Sequence, residues 1–224
     1  MNPLDGYERV PSDGAEELLK HVLEFRETCQ QLQRPEDVNH LLELFSLVGI
    51  RDGYVLDYVQ SNIGEMATGI QPFARARNSD DAPLVSWFDD EQEQQAQEVE
   101  QLYQYLKFEA NSESLFQYAF FVTELQSTRA SWQVSDWIGS TPVFSEAAFD
   151  KIVEQANKVD RLACPDWFGP MVSQEGGGGR VKFLVHTAMT WERIYYLDSK
   201  VLPSGLVKYE AGEIVADFGQ GFML

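Results

Sequence analysis

The sequence has few cysteines and no long apolar run. Only two cysteines, Cys29 and Cys164, occur in 224 residues, too few for a disulfide framework in a chain of this length. No window approaches the roughly 18 consecutive apolar residues of a membrane-spanning helix, and no basic segment followed by an apolar stretch marks a signal peptide. We therefore expect a cytoplasmic protein with reduced cysteines and no membrane partner.

Histidines and metal-binding motifs are also scarce. His21, His40 and His186 form no HExxH, CxxC or HxH spacing, so the sequence predicts no metal site and no cofactor. Four glycines at 176–179 are followed by a strand-like segment. A phosphate-binding loop needs a helix at that point. We interpret the glycines as a mobile hairpin loop.

Basic residues are outnumbered. The chain has 17 Lys and Arg against 36 Asp and Glu, which gives a net charge of −19. Such a chain repels nucleic acid phosphates and anionic lipid headgroups, and it attracts basic surfaces. The charge therefore predicts a basic protein partner and no nucleic acid. Solubility alone explains the same charge equally well.

The first half of the sequence has helical periodicity. Ser12 or Asp13 can cap a helix whose apolar residues recur at Leu18, Val22, Phe25, Cys29 and Leu32. Pro35 fits the first turn of a second helix, whose stripe runs through Val38, Leu41, Leu42, Phe45 and Val48 and ends at Gly49. Together they predict an N-terminal helical hairpin. Further helices are predicted at 89–107 and from Phe144-Ser145 to Ala156.

Strand patterns dominate the remainder. Residues 54–60 and 70–77 predict a pair, with Pro72 restricting the second strand to an edge. For residues 115–125 a helix and a strand both fit, and their aromatic density favours a strand paired with 131–138. Residues 162–179 are predicted to be irregular. Strands at 181–187, 191–197, 206–210 and 213–218 predict an antiparallel meander with turns at 203–205 and 211–212.

These elements predict an α+β fold. The N-terminal helical hairpin would pack on a mainly antiparallel β-sheet, with the helices segregated towards the first half. We expect one domain over 1–224, with a loose lead-in at 1–12. A subdivision near 78–88 is the alternative.

An acidic segment at 80–100 suggests a binding function. It has eight acidic residues and no Lys or Arg, whereas a structural helix commonly mixes signs to gain ion pairs. We predict that Asp89, Asp90, Glu91 and Glu93 bind a basic protein, with Trp167 and Phe168 as aromatic anchors. The leading hypothesis is a non-catalytic, acidic protein-binding module, such as an inhibitor or immunity protein that neutralises a basic toxin or enzyme.

Two alternatives remain at this point. The first is a cytosolic hydrolase in which Cys164 is the nucleophile, His186 its base and Asp166 or Asp198 the orienting acid. No sequence feature places these groups together. The second is a carbohydrate- or peptide-binding scaffold that uses the tryptophans of the second half.

Overall fold

The structure is a computed structural model that describes residues 6–32, 38–63, 67–77, 102–127, 140–188 and 191–221. The helices are α1 (Ser12–Leu32), α2 (Val38–Glu43), α3 (Ser112–Ser127) and α4 (Glu146–Gln155). The strands are β1 (Glu8–Arg9), β2 (Val48–Ile50), β3 (Tyr54–Ile63), β4 (Ala67–Ala76), β5 (Leu106–Phe108), β6 (Ser140–Val143), β7 (Arg161–Leu162), β8 (Met171–Glu175), β9 (Gly178–Thr187), β10 (Trp191–Val201) and β11 (Val207–Gln220). The predicted α+β class is confirmed. Within the described residues, no helix is both long and apolar enough to cross a bilayer.

A seven-stranded antiparallel sheet forms the centre of the molecule. Its order is β1-β8-β9-β10-β11-β7, and β6 pairs with β9 beyond the end of β8. Two further antiparallel pairs, β2 with β5 and β3 with β4, lie outside this sheet. The β3–β4 pair confirms the prediction for 54–60 and 70–77. Glu8–Arg9, inside the predicted lead-in, pairs with β8.

The predicted meander is correct except at its last turn. Strands β9, β10 and β11 follow one another in antiparallel order, but Ala211 and Gly212 lie within β11 and do not form a turn. Tyr195 pairs with Ile214 and Leu197 with Ala211, so one extra residue lies on the β11 side. An extra residue of this kind is accommodated as a β-bulge, which bends a strand without ending it.

The prediction of a strand at 115–125 is wrong, because this segment lies in α3. Every residue from Ser114 to Leu125 is buried. A helix that is enclosed on all sides has no polar face, so its sequence shows no helical period. The aromatic density that favoured a strand reflects burial instead.

Aromatic packing joins α3 to the inner face of the sheet. Phe116 and Phe120 of α3 lie 6.3 and 6.1 Å, between ring centroids, from Phe183 of β9. Phe144 packs on all three rings, at 5.6 to 5.9 Å. Aromatic pairs of this geometry contribute roughly 0.5–1.5 kcal/mol each beyond their buried area. The main core therefore lies between α3 and the inner face.

The first helix is confirmed with its predicted apolar stripe. Leu18, Val22 and Phe25 of α1 are buried in the main core. Arg26 donates to the Glu124 carboxylate of α3 at 2.9 Å, and the Glu124 side chain is only 2 % exposed. Helix α1 is thus fixed to α3 by apolar contacts and by the charged hydrogen bonds between Arg26 and Glu124.

Three other boundaries differ from prediction. The second helix ends at Glu43 and not at Gly49, because 48–50 form β2 and pair with β5. Residues 102–105 are helical, but 106–107 belong to β5, so the helix predicted at 89–107 is too long. The segment predicted to be irregular contains β7 and β8. The helix after Phe144 is confirmed as α4, with the Ser145 hydroxyl as its N-cap.

The glycine run divides into a turn and a strand. Gly176 and Gly177 form the β8–β9 turn with φ angles of 53° and 85°, which glycine adopts more readily than other residues. Gly178 and Gly179 are buried in β9, and a Cβ on Gly178 would lie 2.2 Å from the Val201 carbonyl oxygen. The predicted hairpin is correct for the first two glycines only.

Tyr118 joins α3 to the β10–β11 connection. Its fully buried hydroxyl donates to the Gly205 carbonyl oxygen at 2.7 Å. Burial, and secondarily Tyr103, raises the pKa of Tyr118 far above its usual value near 10. The folded state therefore retains this proton at a pH where the unfolded chain releases it.

We predict that the free energy of unfolding falls as the pH rises above about 10, partly because of Tyr118. The Tyr118→Phe variant should lose about 1–2 kcal/mol at neutral pH, since Gly205 loses its buried donor, and should show a shallower alkaline decline. Urea unfolding across a pH series measures both effects. Tyr209→Phe, at a position 40 % exposed, is the control. An unchanged stability and alkaline slope in Tyr118→Phe would contradict the assignment.

Candidate functional site

A cavity of about 300 Å³ opens on the outer face of the large sheet. We call it the Cys164 pocket. The loop after β7 forms one side of the pocket, and outward-facing residues of β9, β10 and β11 form its floor. It is lined by Ala163, Cys164, Pro165, Asp166, Lys182, Tyr196, Asp198, Gly212, Glu213 and Val215.

Strand alternation places the polar side chains of this pocket. In β9, Val181 and Phe183 face the main core, so Lys182 between them faces outward. Asp198 of β10 pairs in register with Lys182, and Tyr196 lies two residues further along the same face. The loop is held against the sheet by a hydrogen bond from the Ala163 amide to the Val215 carbonyl at 2.8 Å.

Part of the pocket floor is a cluster of paired charges. The Asp198 carboxylate lies 3.1 Å from the Arg180 guanidinium and 3.3 Å from the Lys182 ammonium. The ammonium also lies 5.0 Å from the centroid of the Tyr7 ring. Asp198 is the main cause of the raised pKa of Arg180. Because these three charged groups pair with one another, their side chains are held in place.

Two further carboxylates line the pocket near Tyr196. Tyr196 is half-buried, and burial first, then Glu213 and Asp166, raise its pKa. Glu213 lies 3.3 Å from Arg161, but both side chains are more than half exposed, so this pair is weak. Asp166 is exposed and forms no ion pair with another described residue. Two carboxylates of this pocket thus act electrostatically on the same phenol.

Cys164 and His186 are not brought together. The Cys164 thiol is exposed, and its Sγ lies 3.8 Å from the Pro165 carbonyl oxygen. His186 is four residues beyond Lys182 on β9, which places it about 13 Å along the strand. There its Nε2 lies 3.2 Å from Glu192, and its ring packs on Phe218. The base of the hydrolase hypothesis therefore does not line the pocket that contains its nucleophile.

The two aromatic residues predicted as anchors follow the pocket loop. Both are half-buried. The Arg9 guanidinium lies 5.1 Å from the centroid of the Trp167 ring, whose Nε1 lies 3.4 Å from the Pro170 carbonyl. Phe168 packs on Phe149 of α4 at 5.4 Å. Each ring thus has internal contacts, and its role in partner binding stays a prediction.

Several predicted features lie outside the described residues. These are the acidic residues Asp89, Asp90, Glu91 and Glu93 and the strand predicted at 131–138. Their roles stay predictions. Among the described residues, no group of three or more His, Cys, Asp or Glu side chains could hold a metal ion.

Comparison with known proteins finds no relative of this chain. No protein-family model matches the chain, and neither a curated protein nor a solved structure is similar to it. The function is therefore argued from the geometry of the site.

Sequence reasoning missed two charged residues of the pocket, namely Lys182 and Glu213. Their proximity depends on the pairing of β9, β10 and β11 and on the bulge beside Gly212. One signal was present in the sequence: Lys182 is a charged residue between the apolar residues Val181 and Phe183 of a predicted strand. A charge at such a position must face a partner or an opening.

We predict that the Asp166→Asn/Glu213→Gln double variant lowers the pKa of Tyr196, because two negative charges beside the phenol are removed. The pKa should remain above its usual value, since burial is unchanged. Ultraviolet difference titration against a Tyr196→Phe variant isolates this group. Glu17→Gln/Glu154→Gln, which removes the same charge from two exposed sites on the helices, should have no effect. An unchanged Tyr196 pKa in the pocket variant would disprove the proximity of the carboxylates.

Proposed function

We propose that the protein is a non-catalytic binding module for a basic protein, and that a Lys or Arg side chain of this partner enters the Cys164 pocket. One observation carries the proposal. Asp166 and Glu213 line the same pocket as a half-buried tyrosine, and among the described residues the one ion pair formed by either carboxylate is the exposed pair of Glu213 with Arg161.

The size and lining of the pocket suit one long basic side chain. About 300 Å³ is at the lower end of ligand-pocket volumes. The methylene stem would pack on Ala163, Pro165 and Val215, and the charged end would lie between the carboxylates. The Tyr196 ring would add a cation–π contact. A desolvated cation held in this way is a typical interface anchor.

The charge of the whole chain supports the same partner. A net charge of −19 accelerates encounters with a basic protein. In this proposal the acidic residues predicted at 89–93 steer association, whereas the pocket contributes to the lifetime of the complex. An inhibitor or immunity protein that covers a basic active site would act in this way, by analogy of charge and not of fold.

The geometry favours binding over the hydrolase alternative. A cysteine hydrolase needs a base within hydrogen-bond reach of its nucleophile, whereas His186 does not line the pocket that contains Cys164 and lies 3.2 Å from Glu192. A sugar-stacking scaffold needs free aromatic faces: Arg9 lies over the Trp167 ring, but Trp191 is 50 % exposed, so this alternative stays a prediction.

Affinity capture from the native cell tests the proposal with three baits: the wild type, Asp166→Asn/Glu213→Gln, and the control Glu17→Gln/Glu154→Gln. The wild type and the control should retain the same basic protein. The pocket variant should retain about tenfold less, since the loss of two charged contacts costs on the order of 1.4 kcal/mol.

Quantitative mass spectrometry of the three eluates gives the result. Equal capture by all three baits would contradict the proposal, because the pocket would then be irrelevant. Capture of only acidic or neutral proteins would contradict it as well, because the charge of the pocket would have no counterpart.

A further inference from the structure

A second opening lies along one flank of α1. It has a volume of about 280 Å³, and we call it the α1 groove. Its floor is apolar and consists of Leu19, Leu23, Phe144 and Ala148, while its rim carries Glu16, Lys20, Glu24 and Glu27. The groove thus lies between α1 and the start of α4.

The floor offers a continuous apolar strip. Leu19 and Leu23 are one turn apart on α1, beside the stripe that faces the main core. Phe144 is only 1 % exposed, whereas Leu23 is 37 % exposed and is, among the described residues, one of the few large apolar side chains open to water. From Glu16 to Glu27 the groove runs about 16 Å along the helix, which is the length of three turns of a partner helix.

The rim is acidic. Three carboxylates face one ammonium, and Lys20 lies 3.8 Å from Glu24 with both side chains more than half exposed, so that this pair neutralises little. A second copy of the chain would bring an identical acidic rim and a net charge of −19 against this one. The charges therefore favour a basic occupant and disfavour self-association.

We propose that the α1 groove docks an amphipathic helix that has an apolar stripe flanked by Lys or Arg. The occupant would be a helical segment of the basic protein, so the inference rests on the proposed function but uses a surface separate from the Cys164 pocket. Apolar residues at spacings of three and four would lie on Leu19, Leu23 and Ala148, and the basic flanks would meet the rim. Helix-in-groove recognition commonly works in this way.

Fluorescence anisotropy with a labelled synthetic helix tests the docking. The probe has a leucine stripe at helical spacing and lysine at the remaining positions. One control peptide has the same composition in an order that breaks the stripe, and another has glutamate in place of lysine. The striped basic peptide should bind at least about tenfold more tightly than either control, because stripe and charge both contribute.

Leu23→Glu separates docking from simple charge attraction. Glutamate suits an exposed helical position, so the fold should be retained, as circular dichroism can confirm. The variant is more acidic than the wild type, and pure charge attraction would therefore make the basic peptide bind more tightly. Docking in the groove predicts the reverse, a loss of about tenfold. Tighter or unchanged binding would overturn the proposal.

The rim is tested by Glu16→Gln/Glu24→Gln/Glu27→Gln against Glu17→Gln/Glu154→Gln/Glu210→Gln, which removes the same charge from exposed sites outside the groove. Only the rim variant should weaken binding of the peptide, by about tenfold for three exposed charges. Equal effects of the two triple variants would show general electrostatic attraction and overturn the groove assignment.

The pocket variant distinguishes failure of this inference from failure of the proposed function. Asp166→Asn/Glu213→Gln should bind the peptide like the wild type, because its substitutions lie outside the groove. If binding of the peptide is instead weakened only by the substitutions of the pocket variant, the groove assignment fails and the proposed function stands. If native capture fails while the peptide binds in the groove, the Cys164 pocket loses its proposed role and the docking surface is supported.

Discussion

The burial of α3 on all sides is the constraint on which the rest of the structure depends. The sheet covers one side through Phe183, and α1 is fixed to it by Arg26 and Glu124. The β10–β11 connection is held by Tyr118, and the Leu47 amide donates to the Gln117 side chain at 3.0 Å. The inner face of the sheet is covered in this way, whereas the Cys164 pocket lies on its outer face.

Within the described residues, α4 covers only part of the outer face of the same sheet. Phe149 of α4 packs over Leu184, Ile194 and Phe218 in a second, smaller core, which does not include Lys182 and Asp198. Strand alternation requires that side chains between the core positions point outward. The two faces of the sheet are thus covered to different extents. Apolar residues of the inner face pack in the main core, and the charged pocket opens on the outer face.

Local patterns predicted those elements that have one buried and one exposed face. Helix α1 shows this contrast, the strands β9 and β10 show a weaker one between a buried and a partly buried face, and the sequence period located all three. Helix α3 has no exposed face, so no period distinguished it from a strand. The Cys164 pocket is formed by residues far apart in the chain, such as Asp166, Tyr196 and Glu213, and by a β-bulge that no local sequence pattern predicts. For the same reason the sequence could not show that His186, the base of the hydrolase hypothesis, does not line the pocket that contains Cys164.

The central claim is that the Cys164 pocket binds a cation carried on an alkyl stem. Titration with agmatine, an alkylguanidinium without a carboxylate, tests it most directly when methyl resonances of alanine and valine are followed by NMR. The account predicts saturable shifts of Ala163 and Val215 that disappear in Asp166→Asn/Glu213→Gln. Shifts that sodium chloride reproduces at equal ionic strength, or that persist in this variant, would contradict it.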